Sequence, residues 1–189
     1  VAAMAPEYMT EPLDETASGT VDFSAIDRVL EMNADVIAVG PGLGQAPGTA
    51  AFVQALLERT GVPIVLDADA LNAFAGEPDR LMGREEVGVV ITPHPGEMAR
   101  LLNTSIEAVQ HDRLRHAREF AASHRVVVVL KGHRTVIAAP DGRTFVNLTG
   151  NSGMATGGTG DLLTGMIAAW FAQLLDAEAA CQLAVYLHG

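Results

Sequence analysis

Residues 35–44 read "DVIAVGPGLG": Val36, Ile37, Ala38 and Val39 form a short apolar run that breaks into Gly40, Gly42 and Gly44. A run of this kind fits a buried strand that empties into a ligand-facing loop. The three glycines permit either a tight turn or the close approach of a ligand to the backbone, and both readings stand at this point.

The same arrangement recurs downstream. "TAAFVQALLERTG" (49–61) sets Phe52, Val53, Leu56 and Leu57 on one helical face, with Gly61 placed to end the helix. "VPIVLDADALNAFAG" (62–76) again reads as strand, loop and short helix, and "EVGVVITPHPGEMARLLN" (86–103) as strand, loop from Thr92 to Gly96, and helix. One long helical stretch, "SIEAVQHDRLRHAREFAASH" (105–124), then leads into the strand "VVVVLK" (126–131). "RTVIAAPDGRTFVNL" (134–148) places a Pro-Asp-Gly turn between two β-rich runs, the signature of an antiparallel hairpin at a sheet edge. Upstream, residues 1–19 lack periodicity and read mostly as loop, whereas "VDFSAIDRVLEMNA" (21–34) carries Phe23, Ile26, Val29 and Leu30 at helical spacing. Two helices close the chain. Strands alternating with helices predict an α/β fold of three layers, α/β/α, with a mostly parallel central sheet and an edge β-hairpin.

Length and composition narrow the function. With 189 residues, 49% of them hydrophobic, the chain can bury one sizeable core, and residues 1–189 read as a single domain. A formal charge of −11 without any Lys/Arg cluster argues against nucleic acid or an anionic membrane surface as partner. A small-molecule site that gathers the few basic residues locally stays open. The lone Cys181 allows no disulfide within the chain and suits a reducing compartment; it reads as a small buried hydrophobe. No secretory pattern opens the chain and no apolar run would span a bilayer, so a cytoplasmic protein is expected. The first residue is Val1, and "CQLAVYLHG" (181–189) stops within a helical pattern, so the expectation is a domain incomplete at both ends.

The loops carry the chemistry. In "GNSGMATGGTGDLLTGMIAAW" (150–170), glycines lead into an apolar helix whose first turn presents unpaired N–H groups and a partial positive charge, which makes an anion hole. Its spacing is neither that of the P-loop nor that of the dinucleotide fingerprint. Asp161 suits a first-turn or capping carboxylate, or a general base for a substrate hydroxyl, since a carboxylate beside bound phosphate is costly unless it handles a proton. Lys131, Gly132, His133, Arg134 and Thr135 form either an ordinary surface turn or a nucleotide contact. His94 stands between Pro93 and Pro95, which stiffen its loop, and no second His or Cys lies at zinc-ligand spacing. Glu97 suits a helix cap or a water-mediated Mg²⁺ contact, and Asp67 or Asp69 suits the cap of the short helix that follows them.

Taken together, "VGPGLG", "VLDADALN", "TPHPGEMARLL", "VVLKGHRTVIAAPDG", "NLTGNSGMATGGTGDLLTGMIA" and "YLHG" resemble, in this order and across nearly the whole chain, the ADP- or ATP-dependent NAD(P)H-hydrate dehydratases of the ribokinase-like superfamily. The Gly-Thr-Gly-Asp loop alone is specific only to the superfamily. The resemblance implies repair of hydrated cofactors: a nucleotide phosphorylates the ring hydroxyl of NADHX or NADPHX, phosphate leaves, and NADH or NADPH returns, with ADP giving AMP. It also implies that Asp161 is the base and that Gly42, Gly44, His94 and Asp161 touch the hydrated cofactor. Lys131 to Thr135 and Gly157, Gly158, Thr159 and Gly160 would touch the nucleotide, with Mg²⁺ as cofactor. Family members normally carry further N-terminal strands with a glycine-rich segment and a C-terminal end that this sequence lacks; many are homo-oligomers, and many bacterial ones are fused to an epimerase domain. Two alternatives stand: a small-molecule kinase of the hydroxymethylpyrimidine or hydroxyethylthiazole type, and a non-catalytic nucleotide-binding fragment.

Overall fold

Four short apolar runs become parallel strands because each of the first three is followed by helices that return the chain to start the next strand in the same direction. The computed structural model describes residues 8–174 and 176–189. Helix α1 (Ile26–Leu30) precedes strand β1 (Ile37–Val39), and helix α2 (Pro47–Arg59) leads to β2 (Ile64–Leu66). Helix α3 (Asp69–Asn72) separates β2 from β3 (Val89–Ile91), and α4 (Pro95–Leu101), α5 (Ile106–His111) and α6 (Arg113–His124) separate β3 from β4 (Val127–Leu130). Strands β5 (Val136–Ala138) and β6 (Thr144–Val146) form the hairpin, and α7 (Thr159–Leu174) and α8 (Ala177–His188) follow. The six strands lie in chain order, β1 to β4 parallel and β4 to β6 antiparallel. The mostly parallel sheet and its edge hairpin are thus as expected, with the turn closed by Gly142 N–H donating to the Ala139 carbonyl at 3.0 Å.

The two faces of the sheet are told apart by the two-residue period of a strand. Ile64, Leu66, Ile91, Val128 and Leu130 pack with Phe52, Leu56, Leu71, Phe74, Leu101 and Phe120 from the helices on one side. Val65, Val90, Val127, Val129 and Ile137 pack with Leu163, Ile167, Phe171, Cys181, Ala184 and Val185 from α7 and α8 on the other. Three layers result, and β2 to β5 are apolar throughout because both of their faces are covered.

Three local expectations are corrected. The stretch 105–124 is two helices, because Asp112 leaves helical geometry (φ −144°, ψ 69°) and its carboxylate accepts the Arg115 N–H at 3.1 Å, capping α6. Helix α2 ends at Arg59 without help from Gly61: Thr60 turns extended while its N–H still reaches the Leu56 carbonyl, and Gly61 has no positive φ. Residues 21–34 yield a single 3-10 turn and the five-residue α1, entered through Asp22, whose side chain accepts the Ser24 N–H. The loop expected for residues 1–19 holds for residues 8–19 apart from an isolated bridge between Glu15 and Val21, while residues 1–7 lie outside the described residues. Among the described residues no helix is long and apolar enough to cross a membrane.

Candidate active site

The loops at the carboxyl ends of β1 to β4 are drawn together by hydrogen bonds that extend the strand pairing one step past each strand. Asp67 N–H donates to the Val39 carbonyl at 3.1 Å, Thr92 N–H to Leu66 at 3.1 Å, and Lys131 N–H to Pro93 at 2.8 Å. Gly40 sits so close to this seam that a Cβ there would lie 1.7 Å from the Asp67 carbonyl oxygen, and its φ of +143° is one that side chains rarely adopt.

A buried ion pair forms the centre. The Lys131 ammonium donates to Asp67 Oδ1 at 2.7 Å, and Thr164 Oγ1 in the second turn of α7 donates to Asp67 Oδ2 at 2.7 Å, so both oxygens of a carboxylate only 1% exposed are occupied. Neither Asp67 nor Asp69 caps α3, whose cap residue Ala68 has no side-chain bond and a strained φ of 49°. Asp69 instead accepts the Gly44 N–H at 2.9 Å and Gln45 Nε2 at 3.3 Å, tying "GPGLG" to "DADALN".

Glu97 and His94 cap α4 reciprocally. His94 Nδ1 accepts the N–H groups of Gly96 (2.9 Å) and Glu97 (3.3 Å), which puts its proton on Nε2, while Glu97 Oε2 accepts the His94 N–H at 2.7 Å. Glu97 Oε1 lies 3.4 Å from His94 Nε2, and Oε2 lies 4.0 Å from the Lys131 ammonium. The capping alternative for Glu97 is therefore the one realised, and its carboxylate is buried.

The loop after β4 and the glycine loop meet at Lys131: a Cβ on Gly160 would lie 3.4 Å from the Lys131 Nζ. Gly132 (φ +137°) and Arg134 (φ +55°) bend the loop, and Thr135 Oγ1 closes it by donating to the Gly132 carbonyl at 3.1 Å. Gly157 and Gly158 are exposed, Gly158 with φ +89°, and Thr159 Oγ1 lies 2.9 Å from the Met154 carbonyl and 2.7 Å from that of Thr156. Asp161 is the third residue of α7 and exposed, and its carboxylate makes no hydrogen bond or ion pair with the described residues. It is a first-turn carboxylate, as one of the two expectations had it, and caps no backbone N–H among the described residues.

Sequence reading overlooked Thr164, Arg113 and His188, and gave Asp67 only a capping role. Arg113 grips the loop after β4 from α6, and His188 Nε2 lies 2.9 Å from the Thr159 carbonyl, fastening the end of α8 to the start of α7. A concavity of about 410 Å³ opens elsewhere, at the amino-terminal ends of β3 and β4 between Arg84, Val127 and Asp176, and holds none of these groups. A smaller one of about 120 Å³ lies between Gly44, Thr49, Asp69 and Asn72, at the edge of the site.

Comparison with known proteins identifies the family. The family model described as NAD(P)H-hydrate dehydratase matches residues 1–189. The chain is 49% identical to the bifunctional NAD(P)H-hydrate repair enzyme of Moorella thermoacetica, over 100% of this chain and 36% of that protein. It is 42% identical to the ADP-dependent (S)-NAD(P)H-hydrate dehydratase of Neisseria meningitidis, over 100% of this chain and 60% of that one. Among solved structures, the ADP/ATP-dependent NAD(P)H-hydrate dehydratase of Bacillus subtilis, co-crystallised with ATP/Mg²⁺ and soaked with CoA, superposes with a TM-score of 0.81 at 35% identity, covering 100% of this chain and 64% of that one. A hydroxyethylthiazole kinase from Pyrococcus horikoshii shares the fold at a TM-score of 0.65 and 18% identity.

Proposed function

Since the chain belongs to the NAD(P)H-hydrate dehydratase family, we propose that it serves to return hydrated NADH or NADPH to the reduced cofactor at the expense of a nucleotide phosphoryl group. The observation that carries this reading is the isolated carboxylate of Asp161 in the first turn of α7, behind a glycine loop. A carboxylate repels phosphate and weakens a pure binding site, so its value there is to accept a proton.

In this mechanism the ring hydroxyl of the hydrated cofactor gives its proton to Asp161 as its oxygen attacks the terminal phosphorus of the nucleotide. Backbone N–H groups of Gly157, Gly158, Thr159 and Gly160 cradle the transferring group, and the Lys131 ammonium stands beside Gly160 to meet the charge that spreads over its oxygens. The C–O bond of the phosphorylated ring then breaks, with electrons supplied by the ring nitrogen; phosphate departs, and the iminium left behind loses a proton from the adjacent ring carbon to water, which forms the C=C bond of the reduced cofactor. Dehydration by way of a phosphate ester replaces a poor leaving group by a good one. ADP as donor follows the name of the Neisseria relative, and ATP as an alternative follows the Bacillus complex.

Magnesium is not offered a protein cage. Both oxygens of Asp67 are occupied and those of Glu97 face His94, and no group of three or more His, Cys, Asp or Glu among the described residues is arranged to hold a metal. We therefore place the ion on the nucleotide phosphates, where it would offset their charge, with Glu97 within reach only through water.

The test is incubation with NADHX, Mg²⁺ and either ADP or ATP while absorbance in the reduced-nicotinamide band is followed. Donor-dependent recovery of absorbance is expected, with AMP and phosphate as products from ADP. No recovery with either donor, or accumulation of a stable phosphorylated alcohol, overturns the dehydratase reading, the latter in favour of a kinase.

A further inference from the structure

Loop 131–135 lies between the parallel part of the sheet and the hairpin, and it has few means of holding its own shape. It contains two residues at positive φ, one of them an arginine, and internally only the Thr135 hydroxyl bond spans it. Its carbonyl oxygens are instead met by one side chain from α6. Arg113 Nη2 donates to Leu130 O at 2.7 Å and Lys131 O at 3.1 Å, while Nη1 donates to His133 O at 2.6 Å and reaches toward Arg134 O at 3.5 Å. A Cβ at Gly132 would lie 3.1 Å from Nη2, so the loop wraps the guanidinium closely, and the φ of +137° there favours glycine.

The sequence places this side chain deliberately. Arg113 is the first residue of α6, and the break at Asp112 that starts α6 is what aims it at the end of β4. The group is half-buried, its Nε has no partner, and burial draws the guanidinium below its ordinary range while leaving it cationic. A planar fork with two separate donor ends matches four carbonyls along a bent loop, which a single ammonium on a flexible stem does not.

We propose that Arg113 is the positioning residue of the nucleotide loop: by holding the carbonyls of Leu130, Lys131, His133 and Arg134 it fixes the loop in the shape that receives the phosphoryl donor and sets Lys131 beside Gly160. This rests on the reading of residues 131–135 as nucleotide-binding. Arg113 touches neither substrate, so its loss acts through the loop. Donor binding suffers, while the hydrated cofactor, handled by other loops, is bound as before.

The experiment measures ADP and ATP affinity by titration calorimetry for the wild type, Arg113→Met and Arg113→Lys, with Val109→Ala in the core beneath α5 as a control for general destabilisation. Charge-assisted bonds of this number predict that Arg113→Met weakens nucleotide binding about tenfold or more, that Arg113→Lys rescues only in part, and that Val109→Ala leaves it within about twofold. Guanidinium at sub-denaturing concentration should restore part of the lost affinity in Arg113→Met and do nothing for Val109→Ala. Nucleotide affinity unchanged in Arg113→Met, or a Lys variant equal to wild type, overturns the positioning role alone. Absence of nucleotide binding by the wild type overturns the reading of the loop and the proposal with it. If Arg113→Met fails to fold, Arg113→Lys, which keeps the charge, carries the same comparison.

Discussion

Replacing Lys131 by Met removes, among the described residues, the only cation within hydrogen-bond reach of Asp67 and strands a carboxylate that is 1% exposed, with Thr164 as its one remaining side-chain partner there. Removing one member of a buried pair costs about 3–5 kcal/mol, because the remaining charge keeps its desolvation penalty and loses its compensation. For a chain of this size each kcal/mol moves the melting temperature by about 2–4 °C, so a fall between about 6 and 20 °C is expected at neutral pH. The double replacement Lys131→Met with Asp67→Asn removes the stranded charge and should recover most of the loss. Urea titrations of the three proteins at neutral pH measure both effects. A single variant within about 1 kcal/mol of wild type, or a double variant no more stable than the single one, refutes the reasoning: the pair would then be a surface contact in energetic terms.

Three further outcomes are expected. Asp161→Asn should lower turnover about 10²- to 10⁴-fold while nucleotide affinity is kept or improved and the urea midpoint stays near wild type; loss of folding would return Asp161 to a capping role. Gly40→Ala should destabilise by more than about 3 kcal/mol, since its Cβ would lie 1.7 Å from the Asp67 carbonyl oxygen, whereas Gly61→Ala, with nothing within 4 Å, should melt within a degree or two of wild type; similar melting of the two variants would sink the close-approach argument. Cys181 is buried, and burial, with the charges of Asp176 and Glu178, pushes its thiol well above the usual range, so the native protein should resist iodoacetamide and react only in urea. Alkylation of native protein at the denatured rate contradicts that environment.

The sheet was legible because its strands are bounded by glycines and prolines and apolar on both faces, and the hairpin because Pro140-Asp141-Gly142 is itself a turn signal. The break at Asp112 escaped notice because helical spacing runs through it: Val109 and Ala117 are buried on either side of a residue whose side chain competes for the backbone. The ion pair was open to a period-two argument that went unused. Val65 and Val129 face α7 and α8, so Asp67 and Lys131, each two residues on, continue that face with opposite charges on strands flanking β3. Thr164 could be placed by the same logic, four residues after Gly160 on the stripe continued by Ile167 and Phe171. Arg113 and His188 carried no such signal. Their partners are backbone carbonyls 17 to 29 residues away, and a carbonyl leaves no mark in a sequence.

The electrostatics of the site explain why so few cations suffice. A chain of charge −11 repels a polyanionic donor at long range, and salt screens that repulsion within about 8–10 Å. Attraction must therefore be local and directional. Lys131 gives one of its three donors to Asp67, which offsets its charge and fixes its direction, leaving two donors beside the glycine loop. Arg113 has its charge turned inward on carbonyls, so the role proposed for it is one of shape. The first turn of α7 supplies N–H groups that cost no net charge at all. On the proposed reading, an exposed carboxylate three residues into α7, without a hydrogen bond or ion pair among the described residues, would weaken phosphate binding. A site evolved only to hold a nucleotide gains by losing it, so its presence argues for a step in which a hydroxyl proton has to be taken away.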